Sequence, residues 1–566
     1  MALDNAVGFG AGDWIEVMLG AMLVLLILAW RPWIEPLGAR LARRTVWCML
    51  VLAALPVALR LLLLAQHPVP SPNIRDEFSH LLLADTLRHG RLANPPHPLN
   101  QFFEAIDVLQ APSYSSIYAI GQAMVLALGR LIFGHPWAGV LLSVAAFCAL
   151  CFWMLRAWTT PAWALAGGLL ASFEFGPLNE WMNGYWGGAV SAAAGCLVFG
   201  ALPRLRQGRA RDAVWLGLGL ALALLTRPYE SILLVVSVLV YFAPALRRRD
   251  ELRKLARAVP VALLVVMPAI ALTLVQNKQV TGSWTTLPYM LSRYQYGVPT
   301  TFTFQPNPAA HRELTPEQQL EYKMQTAYHG SDTDTIQRYL GRLEYRVRFY
   351  RFFFLAPLYL ALLAFFAAAR EWRFAWVVFT LAVFALGSNF YPFFFPHYIA
   401  AVTCLFVLAA VTGLERLSRI TIRGWLAGQE AARLILFLCA AHFVFWYGAH
   451  AIDRPAAIQY ETWDVINHGD PQGRATIESQ LAQASGKQLV FVRYWPHHIF
   501  QNEWVYNAAG IDGAQVVWAR DLGVAENEKL RVYFSDRTAW LLEPDARPPK
   551  LSPYPLDQAA HNKASP

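Results

Sequence analysis

Long apolar runs, separated by short basic loops and a few long polar stretches, make up most of the chain. A helix needs about 20 apolar residues to cross the roughly 30 Å hydrocarbon core of a bilayer. Runs that meet or approach this length lie near 13–31, 46–66, 137–157, 161–177, 187–203, 212–226, 229–246, 258–275, 349–369, 374–389, 395–413 and 434–450. The pattern predicts a polytopic α-helical membrane protein with about twelve spans.

Arginine and lysine cluster in the short loops between alternate runs. These basic loops lie at 31–44, 204–211, 247–257, 370–373 and 416–423. Because cytoplasmic loops carry the excess of Lys and Arg, the parity of twelve spans places both ends of the chain outside. A further apolar run at 117–134 would break this parity, so we expect a helix there that lies in, or dips into, the outer interface.

Three long polar regions then fall on the outside of the membrane. The third follows a strand, strand, helix, strand pattern at Gln488–Tyr494, Ala514–Arg520, Glu526–Phe534 and Thr538–Glu543, which indicates a compact α/β unit. We expect a transmembrane domain over 1–450, with outside loops 67–116 and 276–348. A small C-terminal extracytoplasmic α/β domain is expected over 451–566.

The composition excludes several other classes of protein. Hydrophobic residues make up 56% of the chain and charged residues only 15%, whereas about a quarter of a soluble domain is charged. All six cysteines lie in apolar runs, so neither a disulfide framework nor a zinc site is predicted. The net charge of +9 comes largely from the basic inside loops, so it requires no nucleic-acid partner.

The first outside loop contains the strongest local chemical signal, the adjacent carboxylates Asp76 and Glu77 at the start of a predicted helix. Acidic residues in a first turn interact favourably with the helix dipole, which is one interpretation. The other is a general base held just above the membrane, ready to accept a proton from a hydroxyl group. His80 lies one helical turn after Asp76 and could orient its carboxylate, share a metal ion with it, or simply be a hydrogen-bond partner.

The Asp-Glu-aromatic start of this loop, placed after an outward span, resembles the first loop of GT-C membrane glycosyltransferases. It is most similar to the bacterial relatives of dolichyl-phosphate-mannose–protein mannosyltransferases, the glycosyltransferase family 39-like proteins. Three further stretches share the resemblance, at Trp181–Gly188, Phe395–Tyr398 and Glu503–Asn507. The resemblance implies sugar transfer from a polyprenyl-phosphate carrier on the outer face, usually with inversion. It implies Asp76 as the catalytic base and Glu77 as its helper.

A lipid-phosphate leaving group needs cations to hold its charge, and arginine suits phosphate. Arg227 and Glu230 lie at the outward tip of the hairpin 212–246, where they could bind substrate or pair with each other. Arg293 and Tyr296, with the neighbouring tyrosines, could contact the sugar and its phosphate. Those tyrosines could equally be an interfacial aromatic belt.

Two more outward-facing residues are substrate-binding candidates. His397 follows Pro396 at the outer end of a span, where it could contact the lipid phosphate or cap a helix. Tyr185 lies in a glycine-rich outside turn that faces the same compartment. Glu104 and Asp107 add carboxylates to the first loop, but no Asp-x-Asp cluster accompanies them, so we expect neither a metal nor another cofactor.

We therefore expect an inverting hexosyl- or pentosyltransferase in a bacterial inner membrane. Its partners would be a polyprenyl-phosphate-linked sugar, a lipid, glycan or protein acceptor, and the bilayer. A lipid-linked sugar flippase or other transporter is one alternative, although transporters concentrate polar groups near the midplane. A non-catalytic envelope assembly protein is the other, and it leaves the acids of the first loop without a task. Neither the sugar nor the acceptor is identified by the sequence.

Overall fold

The computed structural model describes residues 18, 20–22, 24–26, 35–330, 334–453, 470, 472–496 and 498–555. The predicted span at 13–31 lies mostly outside these residues. Every other predicted run contains a helix, which confirms the helical membrane class expected from the apolar pattern.

The helices of the first half of the chain are α1 (Thr45–Leu62), α2 (Arg75–Arg88), α3 (Ile120–Phe133), α4 (Trp137–Leu155), α5 (Pro161–Glu174), α6 (Glu180–Asn183), α7 (Ala189–Arg206), α8 (Ala213–Thr226), α9 (Pro228–Phe242) and α10 (Arg249–Thr281). Those that follow are α11 (Pro288–Tyr296), α12 (Pro316–His329), α13 (Ile336–Val347), α14 (Tyr359–Ala368), α15 (Trp372–Ser388), α16 (Thr403–Ser418), α17 (Ala427–Ala451), α18 (Arg474–Gln483) and α19 (Val524–Tyr533).

Within the described residues, seven helical segments are long and apolar enough to cross a membrane. They are Thr45–Leu62, Trp137–Leu155, Ala189–Arg206, Pro228–Arg247, Arg249–Thr281, Pro396–Ser418 and Ala427–Ala451. An eighth results if Ile336–Phe353 and Ala356–Ala368, which meet at a 111° bend, form one span. Several other predicted spans, such as α5 and α8, are helices of only 14 residues. The number twelve therefore remains a prediction.

The centre of the helical assembly is formed by α4, α7 and α16, whose side chains are buried on nearly every side. The backbone approach is closest at Gly195 of α7, where a Cβ atom would lie 1.7 Å from the carbonyl oxygen of Ala401. Only glycine fits at such a contact. It fixes the segment Pro396–Val402, a 3₁₀ helix, against α7, and that segment carries His397.

The end of α1 is tied to the outside turns by a buried arginine. Arg60 donates from Nη1 to the carbonyl oxygen of His67, from Nη2 to that of Pro68, and from Nε to Oδ1 of Asn183, at 2.9, 3.0 and 2.6 Å. A buried guanidinium is stable where its donors are satisfied in this way. The first outside loop and the turn after α6 therefore start from one fixed point.

The C-terminal part of the chain contains a four-stranded sheet of order β4-β3-β5-β6. The strands are β3 (Lys487–Val492), β4 (Val516–Arg520), β5 (Arg537–Glu543) and β6 (Lys550–Pro553); the first outside loop adds the short pair β1 (Val108–Leu109) and β2 (Ser115–Ser116). β3 runs parallel to β4 and β5, and β6 is antiparallel to β5. The predicted strands and helix lie within two residues of the observed ones, but α18 and β6 were not predicted. The domain boundary at 451 remains a prediction.

This sheet packs directly on α2 of the first outside loop. Phe78 and Leu82 share one buried cluster with Leu489, Phe491 and Val517 of the sheet. A single core thus joins two segments that lie some 400 residues apart in the sequence. The hydroxyl of Tyr506 also donates to the carbonyl oxygen of Ile106, 400 residues earlier in the chain, at 2.8 Å. The position of α2 therefore depends on the C-terminal unit.

Candidate active site

α2 begins at Arg75, so Asp76 and Glu77 both lie in its first turn, as the sequence predicted. Glu77 points back towards the start of the helix, where Oε2 accepts hydrogen bonds from the backbone N–H groups of Asn73 (2.7 Å) and Ile74 (3.3 Å). Backbone donors at the start of a helix have no partner within the helix, and Glu77 supplies one. The first turn is therefore held rigid by its own side chain.

The other oxygen of Glu77 binds the glycine-rich turn. Oε1 accepts from the backbone N–H of Tyr185 at 2.7 Å, and a Cβ on Gly184 would lie 2.9 Å from it. Glu77 is only 4% exposed, and burial raises its pKa to about 7, although its bonds to the three N–H groups oppose this rise. With both oxygens bound to backbone, Glu77 connects two segments; its predicted role as a catalytic helper remains a prediction.

Tyr185 is also occupied by structural contacts. Its side chain is 1% exposed, its hydroxyl donates to the carbonyl oxygen of Pro70 at 2.7 Å, and its own carbonyl accepts from Gln122 at 2.9 Å. The more exposed aromatic ring of this turn belongs to Trp186, whose ring centre lies 4.7 Å from that of His397. The turn thus presents Trp186, and not the predicted Tyr185, towards His397.

Asp76 is the carboxylate of this pair that remains open to solvent. Its side chain is 29% exposed, Oδ1 accepts a 2.5 Å hydrogen bond from the hydroxyl of Tyr118, and Oδ2 lies 3.8 Å from Nε of Arg75, beyond hydrogen-bonding distance. Burial and the carboxylates Asp107 and Asp76 raise the pKa of Tyr118 well above its ordinary value. The phenol therefore stays protonated and donates, which leaves Oδ2 as the oxygen free to accept a proton.

Arg75 lies among three carboxylates. Its Nε is 3.3 Å from Oδ2 of Asp107, and its Nη1 pairs with Glu321, which is fully buried. Burial lowers the pKa of Arg75, but Asp107 and Asp76 outweigh this and raise it above its ordinary value. Among the described residues, no group of three or more His, Cys, Asp or Glu side chains is arranged to hold a metal ion. The cation at the centre of these acids is an arginine.

Arg227 connects α8 to α9, where Pro228 occupies the first helical position. Its guanidinium carbon lies 4.8 Å from the ring centre of Tyr398. In the described part of the chain no carboxylate comes within 4.0 Å of it, and Glu230, one turn further along, forms no ion pair with it. Within the part of the chain that the structure describes, the specific side-chain contact of Arg227 is thus an aromatic face.

His80 links the acidic and the cationic sides of this region. Its ring stacks on Tyr118 at 4.4 Å, and burial lowers its pKa to about 4, with Asp76 opposing the shift and Arg227 adding to it. Asp76 and Arg227 are therefore both within electrostatic reach of one imidazole. Over the described residues, Nδ1 of buried His80 and Nδ1 of buried His397 have no hydrogen-bond partner.

Arg293 and Tyr296 lie on α11 but not in contact with Asp76. Tyr296 is buried, donates to Glu104 at 3.1 Å and accepts from Arg312 at 2.8 Å. Arg293 lines a separate surface groove of about 430 Å³ and donates to Thr301 at 3.2 Å. The structure therefore does not bring these two predicted residues together with the rest.

Four tyrosines lie in or beside the site. Tyr118 bonds Asp76, and Tyr398 lies under Arg227. The hydroxyls of Tyr289 and Tyr391 bond each other, and the Tyr391 ring lies 6.0 Å from that of Tyr398. The sequence singled out Tyr289 beside Arg293 and Tyr398 in a stretch of family resemblance; for Tyr118 and Tyr391 it gave only their presence in outside segments, which also fits an interfacial belt.

No protein-family model and no curated protein matches the chain. Over 87% of its length it is similar to ArnT from Cupriavidus metallidurans, of which it covers 92% at 13% identity. The TM-score is 0.49 for the apo state and 0.47 for the structure bound to undecaprenyl phosphate. It is also similar to the apo oligosaccharyltransferase of Archaeoglobus fulgidus, over 80% of this chain and 63% of that one, at 10% identity and a TM-score of 0.42. Likenesses this distant carry no argument about activity.

Proposed function

We propose that this protein is a GT-C-type glycosyltransferase that moves a sugar from a polyprenyl-phosphate donor to an acceptor hydroxyl on the outer face of the membrane. One observation carries the proposal. A partly exposed carboxylate, Asp76, accepts a hydrogen bond from Tyr118, and Gly121, three residues further on, packs closely against Thr226, the neighbour of the cation Arg227. A base and an anion-binding group close together are what sugar transfer from a lipid phosphate requires.

In the proposed reaction the acceptor oxygen attacks the anomeric carbon of the sugar. As this bond forms, the bond between that carbon and the phosphate oxygen breaks, and the proton of the hydroxyl passes to Oδ2 of Asp76. Attack from the face opposite the phosphate inverts the anomeric carbon. Tyr118 holds Oδ1 at 2.5 Å, so the carboxylate turns its free oxygen towards the acceptor.

The phosphate departs as an anion, so it needs cations or hydrogen-bond donors that stabilise its negative charge and no general acid to protonate it. Arg227 suits this role because its guanidinium lies against Tyr398 and, over the described residues, no carboxylate lies within 4.0 Å of it; Glu230 acts on it only from a longer distance. Nδ1 of His80 and Nδ1 of His397, which have no hydrogen-bond partner in the described part of the chain, can add hydrogen bonds to the phosphate or the sugar. Arg75 contacts Asp107 and pairs with Glu321, so its single charge is already engaged by acids of the protein.

The same proposal assigns the compartments and the substrates. Asp76, the loop 276–348 and the C-terminal unit would face the periplasm of a bacterial inner membrane, and the transferred group would be a hexose or a pentose. Undecaprenyl phosphate, which one of the similar ArnT structures binds, is the first donor carrier to try. A lipid, glycan or protein of the envelope would supply the hydroxyl.

The test is mass spectrometry of envelope glycans and glycolipids from a null strain complemented with wild type, Asp76→Asn or the exposed control Asp536→Asn. We expect one glycan to lose a sugar in the null strain and to regain it with wild type and Asp536→Asn only. General-base catalysis contributes about 10²- to 10⁴-fold, so well-expressed Asp76→Asn should stay deficient. Full restoration by Asp76→Asn would remove the base assignment and favour transport or assembly.

A further inference from the structure

The helix α13 in the second outside loop presents an apolar stripe that the rest of the described protein leaves open. Ile336, Leu340, Leu343 and Val347 recur at helical spacing along one face, and three of them, Ile336, Leu340 and Val347, are 80%, 55% and 64% exposed. A folded protein buries such a stripe unless a partner covers it. The polar residue Arg338 is exposed on the opposite face, about 200° around the helix from Ile336.

A third face of α13 is tied firmly to the protein. Arg346 is buried and donates from Nη1 to the carbonyl oxygen of Ser388 at 2.9 Å, and from Nη2 to those of Tyr391 and Pro392. Arg342, one turn earlier, pairs with Asp334. The helix therefore does not turn its apolar stripe inward, because its arginine face already occupies that side.

The covalent neighbour of α13 indicates what covers the stripe. The segment Ile336–Phe353 meets the apolar helix Ala356–Ala368 at 111°. Ala356–Ala368 alone is too short to be one of the seven spans, but it is apolar and can enter the bilayer, so a helix joined to it at such an angle lies along the membrane surface. Arg348, just after α13, is exposed, as expected of a cationic residue near lipid phosphates, and its guanidinium carbon lies 3.6 Å from the ring centre of Tyr345.

We propose that α13 is an interfacial helix, whose apolar stripe inserts at the boundary between headgroups and acyl chains of the outer leaflet. The partner is the lipid surface itself. Through Arg346 the helix is bound to the turn that carries Tyr391, which contacts Tyr398 beside Arg227. The inference does not depend on the transferase activity, since it follows from exposure, charge and chain continuity alone.

The test measures how deep each face of α13 lies in a bilayer. Full-length Leu340→Cys and the control Arg338→Cys, on the opposite face of the helix, are each labelled with an environment-sensitive fluorophore and placed in phosphatidylcholine–phosphatidylglycerol nanodiscs, with or without brominated acyl chains. The six native cysteines are buried, and labelled wild type gives the background. Ile336→Cys supplies a second position on the stripe if Leu340→Cys folds poorly.

Brominated lipid should reduce the emission from position 340 or 336 by about half, because the label then lies within the acyl boundary. The emission from position 338 should stay nearly constant. Equal quenching at 340 and 338 would mean that the whole helix is immersed, and no quenching at either would mean that the stripe faces water. Each of these two outcomes overturns the proposal.

Discussion

The two arginine clusters of the candidate site differ in what surrounds the cation. Arg75 lies against Asp107 and Glu321 and near Asp76, so its charge is consumed by the protein. Arg227 lies on an aromatic ring and acts on a histidine that burial keeps neutral at physiological pH. An arginine that is paired with carboxylates therefore stabilises the fold, whereas an arginine that lies against an aromatic ring can still bind an anionic ligand.

Removing the charge of each arginine in turn tests whether the two side chains differ in this way. Arg227→Gln should lower kcat/KM about 10²- to 10³-fold, because a group that stabilises the departing anion is lost. The free energy of unfolding should hardly change. Arg75→Gln should instead destabilise the protein by about 3 kcal/mol, since it leaves buried carboxylates uncompensated.

Thermal unfolding in detergent and turnover of a polyprenyl-phosphate sugar, measured on both variants, test this pair. If Arg227→Gln unfolds as early as Arg75→Gln, then Arg227 is a structural arginine and the contrast between the two clusters disappears. If Arg227→Gln turns over like wild type, the anion is held elsewhere.

Gly184→Ala tests whether the hydrogen bond between Glu77 and the backbone N–H of Tyr185 helps to position Asp76. The new Cβ would lie 2.9 Å from Oε1 of Glu77, so either the carboxylate or the turn must shift, at a cost of about 1–3 kcal/mol. We expect turnover to fall about tenfold. The matched control is Gly341→Ala, where a Cβ meets nothing within 4 Å. Unchanged turnover in Gly184→Ala would show that this hydrogen bond is not needed to position Asp76.

Tyr118→Phe removes the hydroxyl that orients Asp76 but keeps the ring that stacks on His80. A hydrogen bond to a charged group contributes about 1.5–3 kcal/mol, and part of it is recovered by water at this partly exposed carboxylate. We therefore expect kcat to fall about three- to tenfold with KM nearly constant. Tyr328→Phe, at an exposed tyrosine, is the control. A rise in KM alone would mean that Tyr118 binds substrate instead.

A last expected effect is on the pH dependence of stability. The pKa of Glu77 in the folded protein is about 7, above its ordinary value of 4.5. The folded state thus holds a proton that the unfolded chain has lost between about pH 4.5 and 7, and the contribution of Glu77 to stability falls as the pH rises through this window.

His80 acts in the opposite sense. Its folded pKa is lowered from 6.5 to about 4, so its contribution is present above pH 6.5 and is lost as the pH falls towards 4. The difference in melting temperature between wild type and Glu77→Gln, measured from pH 4.5 to 8, isolates the carboxylate. We expect wild type to lose stability relative to the variant as the pH rises, by on the order of 1–3 kcal/mol. A difference that stays flat would contradict the raised pKa.

The sequence predicted the parts of the molecule that depend on local pattern. Apolar runs located the helices, and alternation located β3, β4 and β5. The start of α2 followed from its acidic first turn. α18 was not predicted, because Ile477 and Leu481, although at helical spacing, are too few apolar positions to identify a ten-residue helix.

The parts that depend on distant contacts were not predictable. Tyr118 reaches Asp76 across 42 residues, and no spacing rule reports that. Tyr185 and Tyr296 were chosen as polar aromatics in outside segments, yet both are buried and their hydroxyls are bonded within the protein. An aromatic residue with a hydroxyl serves packing and binding equally well, and only the fold decides between them.

The docking of the C-terminal sheet on α2 has a consequence for how the protein is made. The backbone N–H of Ala509 donates to Oδ2 of Asp85 across 424 residues. At about 5–20 residues per second of synthesis, α2 emerges roughly 20 to 85 seconds before the segment that holds it in place. The helix that bears Asp76 must wait in this interval without its partner core, so a nascent chain acquires its working site only as its last strands arrive.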